Sequence, residues 1–293
     1  MTESDPVVTV VTPAYNEEEY IEQTLQSVER QTYDRIEHIV IDDGSTDSTR
    51  EILDRYKDRY RLKIISQENR GQAEAVNRGF ELSAGDIVIW LNADDILFSK
   101  DTVRTVVNAF SENPDTDLLY ANHAVIDEET NLKSLHVPVP WYDSTRLRRW
   151  CFGAFIFMRK SVVEEFKLDP SYDYALDYEF YLRLDDEGKN FKYVNENLLG
   201  FRIHADTKSQ KGSEQMKAEG DACREAYSQS SDTRYRVERI VDHLLNKLLR
   251  VYGVFQLLSV YNERDRLVFP DCLDDQARAV YNQLVTLSPR SKY

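Results

Sequence analysis

The chain has 293 residues, of which 41% are hydrophobic and 11% aromatic, with only 18 glycines and prolines. That composition buries a core and excludes disordered, collagen-like and low-complexity classes. Its 52 acids against 37 bases give a net charge of -15, which repels polyanions and argues against a nucleic-acid partner.

The acids are 28 Asp and 24 Glu, and the bases 24 Arg and 13 Lys, a lysine-poor balance that suits a high-salt cytoplasm. Cys151, Cys223 and Cys272 are far apart and without metal-type spacing, so they read as reduced thiols rather than a disulfide framework or zinc site. The N-terminal stretch MTESDPVV has neither the basic nor the apolar region of a signal peptide, and no apolar run approaches a membrane span. The expectation is a cytoplasmic protein.

Through about residue 120 short apolar runs alternate with helical patterns, the signature of βαβ units and a largely parallel sheet. Val7 to Thr12 reads as a buried strand. Asn16 followed by Glu19 forms a capping-box pattern ahead of a helix carrying Ile21, Leu25 and Val28. The same grammar continues with a strand at Glu37 to Ile41, a helix at Asp47 to Tyr60, a strand at Leu62 to Ser66, a helix at Gln72 to Ala84 stopped by Gly85, and a strand at Ile87 to Leu91. A helix at Asp101 to Phe110 follows.

From Leu118 short strands are expected at Leu118 to Ala121, Ala124 to Asp127, Leu132 to Val137 and Phe155 to Arg159. Helices follow at Ser161 to Phe166 and Ala175 to Glu187, then strands at Phe191 to Val194 and Leu198 to Ile203. Ala205 to Glu219 is polar and reads as a linker or lid. Arg234 to Asn262 reads as an amphipathic helix with Val237, Ile240, Val241, Leu244, Leu245 and Leu248 on one stripe. The domains implied are a catalytic unit over 1–210, with halves at about 1–120 and 121–210, and a helical region over 211–293.

Open α/β sheets bind ligands beyond the carboxyl ends of their strands, which directs attention to four segments. Asp42-Asp43-Gly44-Ser45-Thr46-Asp47 holds carboxylates on a turn, able to accept from a base N–H or a ribose hydroxyl. Asn92-Ala93-Asp94-Asp95 offers acids of the kind that hold Mg²⁺ or Mn²⁺ beside phosphate oxygens. Each also reads as a turn or helix cap. Gly71-Gln72-Ala73 at a helix start permits close approach of a ligand, whereas neither the dinucleotide-binding nor the P-loop glycine pattern is present. Asp177, near the start of a helix, is a candidate general base or simply an acid at a helix N-terminus. Arg202 and His204 share one face of a strand end, a pair suited to a diphosphate and a metal.

The ordered set of motifs resembles the inverting GT-A glycosyltransferases of family 2. Thr12-Pro13-Ala14-Tyr15-Asn16-Glu17 and the Asp42 to Asp47 segment open the match. Asn69-Arg70-Gly71-Gln72-Ala73 and Leu91-Asn92-Ala93-Asp94-Asp95 continue it, followed by Phe157 to Lys160, Leu176 to Glu179 and Phe201 to His204, over about residues 7 to 209. The resemblance implies a Rossmann-like, mostly parallel sheet flanked by helices. It also implies that Pro13, Tyr15 and Asn16 line a nucleotide site, that Asp42 or Asp43 contacts the base, and that Gly71 and Gln72 flank it. Asp94 matches the metal-ligating acid and Asp177 the base that deprotonates the acceptor hydroxyl. Arg202 and His204 fall where some members hold the diphosphate. One departure stands out: the first acid of the family's Asp-x-Asp motif is Asn92 here, with Ala93 between, and Asp95 is a candidate to compensate as a further metal ligand.

The implied reaction is an inverting, Mn²⁺- or Mg²⁺-dependent transfer of a sugar from a nucleotide-diphosphate sugar, UDP favoured, to a glycan or lipid-linked acceptor hydroxyl. The alternatives are a sugar nucleotidyltransferase, for which Thr12 to Glu17 lacks the glycine-rich basic loop, and a catalytically inactive sugar-nucleotide-binding or scaffold protein. The basic residues of the Arg234 to Asn262 helix suit either peripheral contact with the inner face of a membrane or packing on the catalytic domain or in a homodimer.

Overall fold

A computed structural model describes residues 5–138, 156–205, 207–208, 212–227 and 266–269. The elements in chain order are β1 (Val8–Ala14), α1 (Ile21–Glu29), β2 (Ile36–Asp42), α2 (Thr49–Tyr56), β3 (Leu62–Ser66), α3 (Gln72–Leu82), β4 (Ile87–Trp90), β5 (Ile96–Leu97), α4 (Thr102–Glu112), β6 (Leu118–Ile126), β7 (Leu132–His136), β8 (Ile156–Arg159), α5 (Lys160–Glu165), α6 (Leu176–Asp186), β9 (Phe191–Arg202) and α7 (Ser213–Ala226).

They build a mixed α/β architecture around one sheet of order β3-β2-β1-β4-β8-β6-β9-β5, with β7 paired to β6. The first four strands of that order are parallel, joined by helical crossovers. β8 runs antiparallel to both β4 and β6, while β6 and β9 are parallel. Every residue of β1 and β4 is buried, as expected for strands covered on both faces. On one face Val11, Val88 and Trp90 pack with Val76 and Phe80 of α3, Val162 of α5 and Leu176, Phe180 and Leu184 of α6. On the other, Val8, Val10, Ile87 and Ile89 pack with Val103, Val106 and Phe110 of α4.

The expected alternation through β4 is present: the strand Leu62–Ser66 is as expected and the other elements differ at one or both ends by up to four residues. Four local expectations are corrected. Asn16 does not cap α1: its backbone is left-handed (φ 55°) and its side chain is used elsewhere, so the helix begins at Ile21 without a side-chain cap. Gly85 is not a left-handed stop for α3, because the helix ends at an extended Ser83. Its glycine is instead required by close approach, since a Cβ there would lie 2.7 Å from Thr9 N. The paired short strands on either side of Asn122 and of Asn195 join into the continuous β6 and β9, with register shifts near residues 121 to 123. Ala205 to Glu219 is not all linker: α7 starts at Ser213 and docks on α6 through Tyr227, whose hydroxyl donates to Glu179 at 2.8 Å. Cys223 is a free buried thiol, while Cys151, Cys272 and the expected helix at Arg234 to Asn262 lie outside the described residues. Among the described residues no helix is long and apolar enough to cross a membrane.

Candidate active site

The loops after β1 and β2 are stitched to each other at the carboxyl edge of the sheet. Asn16 Oδ1 accepts from Thr46 N at 2.8 Å, Asn16 N donates to Ser45 Oγ at 3.1 Å, and Glu17 N donates to Thr49 Oγ1 at 2.7 Å. The left-handed backbone at Asn16, which asparagine tolerates, turns the chain so that this occurs. Pro13 remains inside β1, opposite Ile41. Tyr15, one residue beyond the strand, is 47% exposed.

Asp42 and Asp43 are both buried. Asp42 Oδ1 accepts from Ser45 N at 3.0 Å and its Oδ2 from Ser66 Oγ at 3.2 Å. Asp43 receives Gln67 Nε2 at 2.7 Å, Arg70 N at 3.0 Å and Gly71 N at 2.9 Å. These acids therefore shape the turn and the segment after β3. Gly71 has φ +90° and open space where a Cβ would sit, so its glycine answers to backbone conformation. It delivers Gln72 to the start of α3, where Gln72 Nε2 donates to Asn92 Oδ1 at 3.2 Å.

The segment Leu91 to Asp95 is held from below by α1: Thr24 Oγ1 lies 2.6 Å from the carbonyl oxygen of Ala93 and 2.7 Å from that of Asp95. Asp94 faces His204, with Oδ2 3.2 Å from Nε2. His204 is positioned by its own N–H on Thr207 Oγ1 at 2.9 Å and by the Tyr20 ring, 4.5 Å between centroids. A carboxylate oxygen opposite an imidazole nitrogen fits a Mn²⁺ or Mg²⁺ ion that completes its shell with phosphate oxygens and water. Among the described residues no three His, Cys, Asp or Glu side chains form a cage.

Asp95 is not the additional ligand the sequence suggested. It is fully buried, its Oδ1 accepting from Arg202 N at 3.0 Å and its Oδ2 from Asn92 Nδ2 at 3.3 Å. Burial, reinforced by the Asp94 charge, pushes its carboxyl well above the usual range.

Arg202 likewise differs from the expected diphosphate grip. Its side chain is fully buried, and its guanidinium donates to the carbonyl oxygens of Asp94 at 2.8 Å, Asp127 at 2.8 Å and Glu128 at 3.1 Å, to Thr130 Oγ1 at 3.1 Å and to Gln23 Oε1 at 2.5 Å. Committed to those acceptors, it clamps the Asp94 segment to the β6–β7 turn and to α1. Gln23 and Thr130 carry no local sequence signal, because their role exists only once these elements meet.

Asp177 sits in the first turn of α6, with Oδ1 accepting from Tyr178 N at 2.7 Å. Desolvation pushes its carboxyl up to about 6, against main-chain hydrogen bonds and the Lys208 charge, which pull it down. A carboxyl at that value is ionised at neutral pH yet a stronger base than an ordinary aspartate. Its neighbours Leu176 and Tyr178 pack in one cluster with Ala73 of α3 and Trp90, the last residue of β4. Lys208, four residues after His204, reaches the loop ahead of α6 through Asp173 at 2.6 Å.

A family model described as "Glycosyl transferase family 2" matches residues 9–166. The chain is 32% identical over 209 residues to a chondroitin synthase of Escherichia coli, covering 70% of this chain and 30% of that protein. It is 28% identical over 217 residues to a protein named "Putative glycosyltransferase EpsH" of Bacillus subtilis, covering 68% and 61%. It thus spans less than two thirds of the length of these relatives. Among solved structures, S. aureus TarS 1-349 in complex with UDP superposes with a TM-score of 0.62 at 16% identity, covering 97% of this chain and 93% of that one. A mannosyltransferase from Pyrobaculum calidifontis in complex with GDP-Man and Mn²⁺ gives a TM-score of 0.59 at 18% identity, covering 97% and 81%. The parallel strands, the strand-end carboxylates and these likenesses agree: the chain belongs to glycosyl transferase family 2, on a GT-A, Rossmann-like fold.

Proposed function

We propose that this chain transfers a sugar, with inversion, from a nucleotide-diphosphate sugar to an acceptor hydroxyl in polysaccharide assembly. UDP is the favoured nucleotide: TarS is described in complex with UDP, and the relatives include a chondroitin synthase. The observation that carries the reading is the facing pair Asp94 and His204, near the helix that presents Asp177.

In this reading the exposed Tyr15 and the turn built by Asn16, Asp42 and Asp43 receive the nucleoside, with Gly71 and Gln72 at its side. Asp94 and His204 would hold a divalent ion, whose charge, when bound, offsets that of the departing diphosphate. Asp177 takes the proton of the acceptor hydroxyl as the hydroxyl oxygen attacks the anomeric carbon and the bond to the diphosphate oxygen breaks. A single displacement of this kind inverts the anomeric configuration.

The test is nucleoside diphosphate release from UDP-glucose, UDP-N-acetylglucosamine, UDP-glucuronic acid and GDP-mannose, with Mn²⁺ and with chelator, and NMR of the product anomer. Mn²⁺-dependent release with an inverted product is expected. Retention of configuration, or undiminished release under chelation, would overturn the corresponding part of the proposal.

A further inference from the structure

The loop that leads into α6 is held by a residue from beyond the family match. Glu219 lies in α7, past residue 166 where that match ends. One of its oxygens, Oε2, accepts three consecutive main-chain N–H groups: Asp173 at 3.2 Å, Tyr174 at 2.9 Å and Ala175 at 2.9 Å. Helix N-termini leave such donors unsatisfied and favour negative charge. Of the three, Ala175 is the N-cap of α6, while Asp173 and Tyr174 precede it, so the Glu219 carboxylate gathers the end of the loop at the point where it enters the helix.

Two further contacts fix the same loop. Lys208 Nζ donates to the Asp173 carbonyl oxygen at 3.1 Å and to its carboxylate at 2.6 Å. Gly212 lies so close to Tyr174 that a Cβ on it would fall 1.8 Å from the ring. Asp177 is two residues past Ala175, and its Oδ1 is tied to the N–H of Tyr178. The direction of its carboxylate therefore follows the backbone of the first turn of α6.

We propose that Glu219 is a positioning residue for Asp177: by gathering the amides of residues 173 to 175 it sets the placement and tilt of the helix start that presents the base. The proposal rests on the reading of Asp177 as the base, and it makes α7 part of the catalytic unit.

The experiment compares Glu219→Ala, Glu219→Gln, Glu219→Asp and Asp177→Asn, using the fastest donor of the panel above for kcat and donor KM, UDP with Mn²⁺ for binding by calorimetry, and circular dichroism for folding. Glu219→Ala is expected to lower kcat about ten- to a hundredfold with donor KM and UDP affinity unchanged, the loss typical of a misplaced catalytic group. Glu219→Gln retains an acceptor oxygen at the same reach and is expected to restore kcat to within about threefold of the parent. Glu219→Asp keeps the charge but is one methylene shorter, and is expected to fall with Glu219→Ala; it serves as the readout if the alanine variant does not fold. Parent-like kcat in folded Glu219→Ala or Glu219→Asp, with Asp177→Asn inactive, would overturn the positioning role. So would a Glu219→Gln variant as slow as the alanine variant. An active Asp177→Asn would instead overturn the reading of the base.

Discussion

Asn92 donates its side-chain N–H to the carboxylate of Asp95 at 3.3 Å while its carbonyl oxygen accepts from Gln72 at 3.2 Å. An aspartate at position 92 accepts but cannot donate, and it would set a second charge against a buried acid whose pKa is already raised. The amide is thus the residue this network asks for. Asn92→Asp is expected to lose about 1 to 3 kcal/mol of stability. Because the folded pKa of Asp95 lies above its ordinary value, the repulsion needs high pH and is relieved as Asp95 protonates. Urea unfolding at pH 8 and pH 5 should show the larger deficit at pH 8; equal deficits would contradict the argument.

As the proposed base, Asp177 works only when ionised. With its carboxyl at about 6, kcat should rise through pH 6 and level off above it. Lys208→Met removes a charge that favours the ionised form and should move this limb to higher pH; a limb that stays in place would show that Lys208 is not coupled to it. The raised folded value also means that ionisation costs stability as pH rises through about 6. Asp177→Asn should therefore gain about 1 to 2 kcal/mol over the parent at pH 8 relative to pH 4, discounted for partial exposure, and should retain UDP binding while losing transfer.

Arg202 is the buried cation beside Asp95 and the donor to three main-chain carbonyls. Removing one partner of such an arrangement leaves the rest desolvated and unpaired. Arg202→Met is expected to cost about 3 to 5 kcal/mol, read as a fall in the urea midpoint. Arg202→Lys should recover only part, since an ammonium cannot reproduce the planar fork. A loss under about 1 kcal/mol in Arg202→Met would show that the clamp is dispensable.

His38 is buried on β2 between Thr12 Oγ1 at 2.9 Å and the Tyr60 hydroxyl at 2.8 Å. Desolvation lowers its pKa to about 3, below the unfolded value of 6.5. Its contribution to stability is complete above pH 6.5 and is lost as pH falls from there toward 3. His38→Gln should flatten the dependence of unfolding free energy on pH in that window. An unchanged slope would place the acid lability elsewhere.

The parallel half of the sheet was legible because buried strands and amphipathic helices leave periodic marks within ten residues of sequence. So were the strand-end positions of Asp42, Asp43 and Asp94 and the helix-start position of Asp177. Direction was not legible. Asp94 and Asp95 are adjacent and chemically identical, yet one faces His204 and the other is buried under Arg202, a difference created by β9 arriving beside β5. Arg202 misled for a related reason: a guanidinium next to a metal-type histidine suits a diphosphate, but its acceptors are carbonyls more than seventy residues away. Glu219 was hidden in a polar stretch because its partners are main-chain amides, which have no letter in the sequence.

The five residues between Trp90 and Ile96 connect β4 to β5, two strands with β8, β6 and β9 standing between them in the sheet. Those intervening strands come from residues 118 to 202, later in the chain than the segment that crosses over them. The placement of Asp94 therefore depends on contacts from both halves of the chain: Thr24 of α1 on one side and Arg202 and His204 on the other. The β5–β9 edge of the sheet is thus completed by residues from the second half of the chain, and a chain cut short before residue 204 holds one of the two facing side chains and not the other.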